Sequence, residues 1–349
     1  MYEALLIVSF GGPEKPEDVL PFLENVTRGR NVPRPRLLEV AEHYYHFGGK
    51  SPINDQCRQL ITAVRWEFAA NRLNMPVYWG NRNWHPMLAD TVREMRADGI
   101  RHALAFVTSA YSSYSSCRQY RENIAAAQAQ AGPDAPEIDK LRVFYNHPGY
   151  IAACADRARE ALARVDHRIR GGFRLLVSAH SIPSAMAENS DYEQQLRETG
   201  RLVAEAVGIR EWDVVFQSRS GPPGQAWLEP DILGHLRGLH RDGVRSVLLA
   251  PVGFVSDHME VVYDLDTEAA QLASELGINM IRAATAGTHP AFVRMIRELV
   301  EERLDPSAPK LSLGFFGPSD EVCPADCCLA PRSAGRDRVS ELERASPPS

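Results

Sequence analysis

Long hydrophobic segments are missing from this 349-residue chain. No run of about 18 apolar residues occurs, so the sequence predicts no transmembrane helix. Residues 1–8 have no basic segment before their short apolar run, which ends in a Gly-Gly-Pro turn, and this pattern indicates a strand instead of a secretory signal peptide. We therefore expect a cytoplasmic protein. Its six cysteines are then not expected to form disulfides, because the cytosol keeps thiols reduced.

Blocks of basic residues are also missing. The net charge is −6, and the arginines are interleaved with Asp and Glu, so we expect no nucleic-acid partner. No GxGxxG or Walker A sequence follows the first predicted strand, which argues against a nucleotide site. The apolar residues, 44% of the chain, are enough for a large core, and the length predicts two domains.

Short apolar runs alternate with amphipathic stretches along the first 306 residues. The runs predict strands covered on both faces, at residues 4–9, 76–79, 102–108, 141–144, 174–178, 213–217 and 246–251. Helices are predicted between them, at residues 16–24, 54–69, 87–98, 116–130, 151–164, 192–206 and 267–276. The pattern runs twice, with a break near residues 145–149. We predict an α/β fold of two Rossmann-like, doubly wound domains, residues 1–146 and 147–306, whose parallel sheets face a central cleft.

The composition changes after about residue 306, where Pro, Ser, Arg and cysteine dominate. We predict a cysteine-containing extension at residues 307–349, with about fifteen disordered residues at its end. Cys323, Cys327 and Cys328 lie close together there, which favours a soft-metal site. The alternative is a disordered tail with free thiols.

One candidate for chemistry is His180, in the sequence Val-Ser-Ala-His-Ser-Ile-Pro. An apolar strand ends at this histidine, and Pro183 fixes the turn that follows. Because ligands bind beyond the carboxyl ends of parallel strands, we expect the imidazole at the mouth of the cleft. Histidine titrates near neutrality, which suits proton transfer. The alternative is a histidine that only caps a backbone carbonyl.

A second candidate is the acidic row of Glu260, Asp264 and Glu268, spaced four residues apart. On a helix this spacing places the three carboxylates on one side, where they repel each other. No Lys or Arg lies between residues 256 and 280 to offset that repulsion. Such a row can relay protons or hold a hard cation. The alternative is a solvated acidic face.

Both segments resemble the hallmark sequences of the ferrochelatase family, at residues 180–183 and 253–264. Supporting segments in the family order lie at residues 9–13, 46–54, 80–84, 111–114 and 216–219. The resemblance extends to about residue 310 and is closest to actinobacterial members. It implies two Rossmann-like domains with a porphyrin cleft between them, in agreement with the fold predicted above.

The resemblance implies a lyase that inserts Fe²⁺, its substrate, into a porphyrin and releases two pyrrole protons. For actinobacterial-type members the expected porphyrin is coproporphyrin III, which gives coproheme in heme biosynthesis. By resemblance, His180 is the first proton acceptor and Glu260 is the partner acceptor, and both are candidate ligands of the Fe²⁺ substrate. Asp264 and Glu268 would carry protons or a hydrated cation outward. Gripping the ring in a bent shape would lower the barrier, because a flat ring does not readily admit iron.

Three alternatives remain open at this point. Protoporphyrin IX, which would give protoheme, is the close alternative substrate. A non-catalytic heme- or metal-binding module could use the same two-domain cleft. A cobalt chelatase for a corrin precursor is the third alternative. The resemblance is compatible with a monomer and with a homodimer.

Aromatic and basic side chains near the predicted strand ends are candidate porphyrin contacts. The candidate ring contacts are Phe10, Tyr111, Tyr114, Phe254 and Trp227, although aromatic residues at such positions also form ordinary core. The candidate propionate contacts are Arg28, Arg30, Lys50, Ser51, Tyr45 and Ser112. Many bacterial relatives carry a tyrosine at the position of Phe10, where it can approach the inserted iron. Phenylalanine has no oxygen ligand, so no axial role is predicted there.

Several members of the family bind a [2Fe–2S] cluster with three C-terminal cysteines and one upstream cysteine. By resemblance, Cys154 matches the upstream position and joins Cys323, Cys327 and Cys328, which gives the four thiolates that this cluster type requires. Cys57 and Cys117 fall within predicted helices and are expected to be small core residues.

Overall fold

A computed structural model describes residues 1–29, 32–166, 168, 172–221 and 224–330. Arg30, one of the predicted propionate contacts, lies outside this described part. So do residues 331–349, where the sequence predicts disorder. None of the described helices combines the length and the hydropathy that a bilayer span requires.

The first half of the chain forms a four-stranded parallel sheet in the order β2-β1-β3-β4. The strands are β1 (Ala4–Ser9), β2 (Val77–Asn81), β3 (His102–Val107) and β4 (Glu137–Lys140). The helices are α1 (Val19–Val26), α2 (Arg34–His46), α3 (Ile53–Ala70), α4 (Leu88–Ala97) and α5 (Gln119–Ala131), with a 3-10 turn at Pro16–Asp18 and a π-helical turn at Tyr114–Arg118. All six residues of β1 are buried, because helices cover both faces of the sheet.

The second half repeats the same strand order, β6-β5-β7-β8, again with parallel pairing. The strands are β5 (Arg174–His180), β6 (Trp212–Gln217), β7 (Ser246–Ala250) and β8 (Asn279–Arg282). The helices are α6 (Pro148–Ala163), α7 (Ser184–Ala187), α8 (Tyr192–Val207), α9 (Ile232–Arg241), α10 (Met259–Val261), α11 (Ala270–Glu275) and α12 (Pro290–Leu304). A π-helical segment, Val262–Ala269, joins α10 to α11.

These two sheets confirm the predicted α/β architecture with parallel, doubly wound topology. In each sheet the strand order reverses between the first and third strands along the chain. Ligand crevices in such sheets lie at that point, beyond the carboxyl ends of the strands. In the second sheet the reversal lies between β5 and β7, the two strands that precede the hallmark segments.

Two predicted elements need correction, and one strand was not predicted. The strand predicted at residues 141–144 is wrong, because the edge strand lies earlier, at Glu137–Lys140, with a polar sequence that gives no apolar signal. Pairing ends where the Leu141 amide donates to the Ala105 carbonyl at 2.9 Å, and the chain then leaves the sheet. The edge strand β8, which is only four residues long, was also not predicted. The helix predicted at residues 267–276 begins earlier, at Met259.

The two halves are joined by α12, which packs against both α6 and α3. At this junction Arg142 and Glu302 form a two-pronged ion pair with distances of 2.8 and 2.9 Å. Their side chains are only 1% and 3% exposed. The Arg142 guanidinium also donates to the Leu311 carbonyl at 2.8 Å, so it holds the chain that follows α12.

We predict that Glu302→Ala lowers the free energy of unfolding by about 3–5 kcal/mol, because the guanidinium of Arg142 would stay buried without its partner. The matched control is Glu39→Ala, which removes an exposed ion pair with Arg36 and should cost less than about 1 kcal/mol. Urea unfolding of both variants measures the difference. Equal losses in the two variants would contradict the structural role of the buried pair.

Candidate active site

His180 is the last residue of β5 and lies at the carboxyl edge of the second sheet. It pairs in register with Gln217, the last residue of β6. The Ser181 amide still donates to the Gln217 carbonyl at 2.8 Å, but Pro183 has no N–H with which to continue the ladder. The buried strand therefore delivers the imidazole to the crevice, where the side chain is 32% exposed.

The hydrogen bond of the His180 ring defines its neutral tautomer. Nδ1 contacts the carbonyl oxygen of Ser181, which can only accept, so Nδ1 must carry the proton. In the neutral ring Nε2 is then an unprotonated acceptor that faces the crevice. The hydroxyl of Tyr192 donates to the His180 carbonyl at 3.0 Å and fixes the backbone behind the ring.

The chain after β7 crosses the end of β5 at very close range. The Gly253 amide donates to the Ser178 carbonyl at 2.9 Å. A Cβ at Gly253 would lie 2.5 Å from the Cα of Ala179, so only glycine fits against this backbone. The close crossing places α10 opposite the end of β5. As a result, Glu260 Oε2 lies 3.7 Å from His180 Nε2.

His258 is a third titratable group at this point. Its Nδ1 lies 3.8 Å from the same oxygen of Glu260, and its ring meets the ring of Phe254 edge-on at 4.9 Å. Burial lowers the pKa of His258, while the charge of Glu260 acts in the opposite direction. The Glu260 carboxylate, half exposed, thus lies near two imidazoles at this side of the crevice.

Asp264 and Glu268 both lie on the π-helical segment that follows α10. Such segments are rare and often occur at functional sites. The pKa of Asp264 is raised to about 7, mainly because the carboxyl is buried; the hydrogen bond from the Ser218 hydroxyl opposes this rise, and the charges of Glu260 and Glu268 add to it. Burial also raises the pKa of Glu268. The acidic row therefore extends from the crevice along one helical segment.

Helix α2 of the first half provides the opposite side of the crevice. His43 stacks on Tyr263 with ring centroids 3.7 Å apart and an angle of 7° between the planes. Tyr44 packs in one apolar cluster with Phe22 and Met259, and burial followed by the charge of Glu260 raises its pKa. Sequence reasoning assigned no role to these contacts. The available signal was the run of imidazole and aromatic side chains at residues 43–46.

Some predicted porphyrin contacts lie on the surface of the first half. Phe10 is half-buried, with its ring edge-on to Phe22 at 6.3 Å and the Arg82 guanidinium 5.6 Å from its centroid. Arg28 is exposed, and Tyr45 is 37% exposed at the end of α2. These positions leave side-chain surface for a ligand.

The other predicted contacts are held by the protein itself. Tyr111 is buried, and its hydroxyl donates to the Val252 carbonyl at 2.8 Å, so its ring belongs to the core. Ser51 is buried against Gly12. Ser112 exchanges hydrogen bonds with Gln195, at 2.7 and 2.9 Å. Three more are partnered as follows: Tyr114 with Glu122, Lys50 with Asp55, and Trp227 through backbone pairing with Pro183.

A cavity of about 590 Å³ lies at the end of the second sheet opposite to His180. Arg174, Glu211 and Ser246 line it, and these residues lie at or next to the amino ends of β5, β6 and β7. Arg174 is paired with Asp213 at 2.5 Å and with Glu211 at 3.3 Å. Because ligands of parallel sheets bind at the carboxyl ends, this cavity is not the candidate active site.

The structure brings the tail cysteines to an unexpected upstream partner. Interaction with Cys117 lowers the pKa of Cys323 and raises that of Cys117, and the Sγ atoms of Cys327 and Cys328 are 3.3 Å apart. Cys154 is buried in α6, where its thiol is hydrogen-bonded with Tyr150. The predicted set with Cys154 is therefore not assembled in this structure.

Among the residues that the structure describes, no three His, Cys, Asp or Glu side chains converge on a point where they would hold a metal ion. This holds for the tail thiols, and it holds for His180, His258 and Glu260. All six cysteines are free thiols.

Comparisons with known proteins agree with this geometry. The family profile described as Ferrochelatase matches residues 2–304. A protein of Rhodopirellula baltica named Ferrochelatase is 57% identical over 329 residues, which cover 94% of this chain and 93% of that protein. Proteins named Coproporphyrin III ferrochelatase are 49% identical in Streptomyces coelicolor, covering 96% of each chain, and 51% identical in Nocardia farcinica, covering 96% of this chain and 99% of that one.

A solved structure shows the same fold. SirB from Bacillus subtilis with Fe³⁺ superposes with a TM-score of 0.55 and 14% sequence identity, covering 87% of this chain and 99% of that one. At this low identity the likeness extends to the fold alone.

The raised pKa of Asp264 predicts a pH-dependent stability. In an unfolded chain this carboxyl ionises near pH 4, whereas in the folded protein it ionises at about 7, so the fold is destabilised as pH rises through that window. Asp264→Asn should therefore stabilise the protein more at pH 8 than at pH 5.5, by about 1–2 kcal/mol after solvent screening. Urea unfolding at both pH values measures this. Glu275→Gln, at an exposed carboxyl of α11, is the control and should show no such difference.

Proposed function

The chain belongs to the ferrochelatase family, and we propose that it inserts Fe²⁺ into coproporphyrin III to give coproheme with release of two pyrrole protons. The observation that carries the proposal is the distance of 3.7 Å between Nε2 of His180 and the carboxylate of Glu260. Metallation must remove protons from the ring nitrogens. An imidazole nitrogen and a carboxylate that lie next to each other in one crevice provide a pair of bases for that step.

Iron itself needs little permanent coordination by the protein. The pyrrole nitrogens become its ligands as they lose their protons, so protein groups need only deliver the ion. His180 and Glu260 are our candidates for this transient contact, with Glu260 able to offer a hard oxygen.

Protons must then leave the crevice. We propose that Asp264 and Glu268 carry them along the π-helical segment to solvent. A carboxyl whose pKa is about 7 both accepts and releases protons near neutrality, which a relay group must do. The Ser218 hydroxyl, hydrogen-bonded to Asp264, holds that carboxyl in place.

We propose coproporphyrin III as the substrate because relatives in several genera are named Coproporphyrin III ferrochelatase. It has propionate groups where protoporphyrin IX has vinyl groups. Arg28 and Tyr45 are our candidates for propionate contacts, because both present surface near the crevice, and half-buried Phe10 is our candidate ring contact. The buried Tyr111 and Ser51 are better explained as support for the fold.

We further propose that the tail thiols Cys323, Cys327 and Cys328 hold a [2Fe–2S] cluster. Thiolate sulfur is the ligand type that such clusters take, and the structure places these thiols on one short loop with two sulfurs 3.3 Å apart. The family resemblance indicates Cys154 as the fourth ligand. We place the protein in the cytoplasm, where its six free thiols would stay reduced. The proposed domains are residues 1–146 and 147–306, followed by the extension 307–349.

We expect His180→Ala and Glu260→Gln each to lower the rate of anaerobic Fe²⁺ insertion by about 10²–10⁴-fold, the usual contribution of a positioned acid–base group. Initial rates with coproporphyrin III measure the loss. The controls are His102→Ala, at the far end of β3, and Glu275→Gln, on the outer face of α11, which should keep wild-type rates. Full activity in both active-site variants would rule out the proposed chemistry.

The substrate proposal predicts a preference between porphyrins. Because each charge-assisted hydrogen bond to a propionate adds about 1.5–3 kcal/mol, kcat/KM should be at least about tenfold higher with coproporphyrin III than with protoporphyrin IX. Parallel assays with both porphyrins measure the ratio. A ratio that favours protoporphyrin IX would make protoheme the product, and binding without insertion of iron into either ring would indicate a non-catalytic heme-binding protein.

A further inference from the structure

The end of strand β6 contacts the surroundings of both proposed bases. Gln217 is the last residue of β6 and pairs in register with His180. Its backbone carbonyl accepts the Ser181 amide at 2.8 Å, and its side-chain amide donates through Nε2 to the Glu260 carbonyl at 3.1 Å. One residue therefore joins the strand end that carries His180 to the short helix α10 that carries Glu260.

The bond to Glu260 fixes the orientation of the Gln217 amide. A backbone carbonyl can only accept a hydrogen bond, so the amide nitrogen must point at it. Gln217 is 2% exposed, and within the part of the chain that the structure describes its Oε1 has no hydrogen-bond partner. A buried amide that is only partly hydrogen-bonded costs free energy, which an apolar side chain of similar size would avoid. The stability of the fold is therefore a poor explanation for a glutamine at this position.

Ser218, the next residue, has an unusual backbone conformation. Its φ angle is 62°, in the left-handed region that glycine adopts more readily than serine. Such strain persists only where the surrounding structure holds it, and it is frequent at functional sites. The chain turns here immediately after Gln217, and the Ser218 hydroxyl donates to the Asp264 carboxylate. Two consecutive residues at one strand end thus hold two successive members of the acidic row.

The first half of the chain holds the same acidic segment by contacts of another kind. His43 stacks on Tyr263, and Tyr44 packs in one apolar cluster with Met259. Apolar contacts are only weakly directional, whereas a hydrogen bond requires a defined distance and angle. The hydrogen bond from Gln217 therefore determines how far the backbone of Glu260 lies from the end of β6, and with it from the end of β5.

We propose that Gln217 is a positioning residue for iron insertion, which holds the backbone of Glu260 so that its carboxylate stays 3.7 Å from Nε2 of His180. This inference rests on the proposed function, because Gln217 acts only through Glu260. An amide side chain exchanges no proton in the reaction. A small displacement of a reacting group lowers the rate strongly even when the substrate binds as before. Loss of the Gln217 amide should therefore lower kcat and leave the KM for the porphyrin nearly unchanged.

The test measures anaerobic insertion of Fe²⁺ into coproporphyrin III by the full-length protein. Gln217→Met removes the donor and keeps the length of the side chain, so we expect kcat to fall by about 10–10²-fold, with KM within about twofold of the wild-type value. The matched control is Thr199→Val on α8. The Thr199 hydroxyl is also buried and also donates to a backbone carbonyl, that of Tyr145, at 2.8 Å. This variant should keep the wild-type kcat.

A double-mutant cycle with Glu260→Gln separates positioning from a general loss of structure. Because Gln217 acts through the carboxylate of Glu260, Gln217→Met should lower kcat by less than about twofold in the Glu260→Gln background. An equal fold-loss of kcat in both backgrounds would overturn the proposal. A wild-type kcat in Gln217→Met, or an equal loss of kcat in Thr199→Val, would also overturn it.

The same assays distinguish this failure from failure of the proposed function. A wild type that inserts no iron, or a fully active Glu260→Gln variant, would overturn the chemistry assigned to Glu260 and the role of Gln217 with it. Activity that is lost in Glu260→Gln and kept in Gln217→Met would overturn the positioning role alone. If circular dichroism shows that Gln217→Met does not fold, Gln217→Asn takes its place, because its amide is one methylene too short to reach the Glu260 carbonyl. A loss of kcat in that variant supports the proposal, and a wild-type kcat overturns it.

Discussion

The candidate active site depends on one close backbone contact, between Gly253 and the end of β5. A side chain of any size at Gly253 would overlap Ala179, so the chain after β7 would have to move outward. That movement would carry α10 with it and separate Glu260 from His180. The two bases face each other because two parallel strands end at the same edge and the following backbone crosses without a Cβ between them. The proposed proton transfer therefore depends on the close backbone packing at Gly253 as much as on the residue types of His180 and Glu260.

The two halves share one strand order, so each sheet has a crevice at the same topological position. The two halves nevertheless contribute different kinds of side chain. The second half provides the titratable groups, His180, Glu260 and Asp264, at and after its strand ends. The first half provides an apolar and aromatic side through α1 and α2, with Phe22 and Tyr44 in contact with Met259. A flat, apolar ligand with charged edges needs both kinds of surface. The two halves thus differ in the residue types that they present to the crevice as well as in their geometry.

Sequence reasoning predicted the parallel sheets because buried strands leave continuous apolar runs, as β1 and β5 do. It predicted the edge strands β2 and β6 but missed β4 and β8, which are four residues long and leave no such run. His180 and Glu260 were predicted as site residues because each lies at or after the end of a buried strand within a distinctive segment. The stack of His43 on Tyr263 joins residues separated by more than 200 positions. No local pattern encodes such pairings, because they arise only when separate elements pack.

The π-helical segment has a geometric consequence for the acidic row. In an α-helix, four residues advance by about 400°, so each successive carboxylate would drift by about 40° around the axis. The wider π turn brings four residues to slightly less than a full rotation, and the drift reverses. The step from Asp264 to Glu268 lies wholly within the π-helical segment and the step from Glu260 to Asp264 mostly does, so both fall slightly short of a full rotation. The three carboxylates therefore drift in one direction around the axis and stay on one side of the segment.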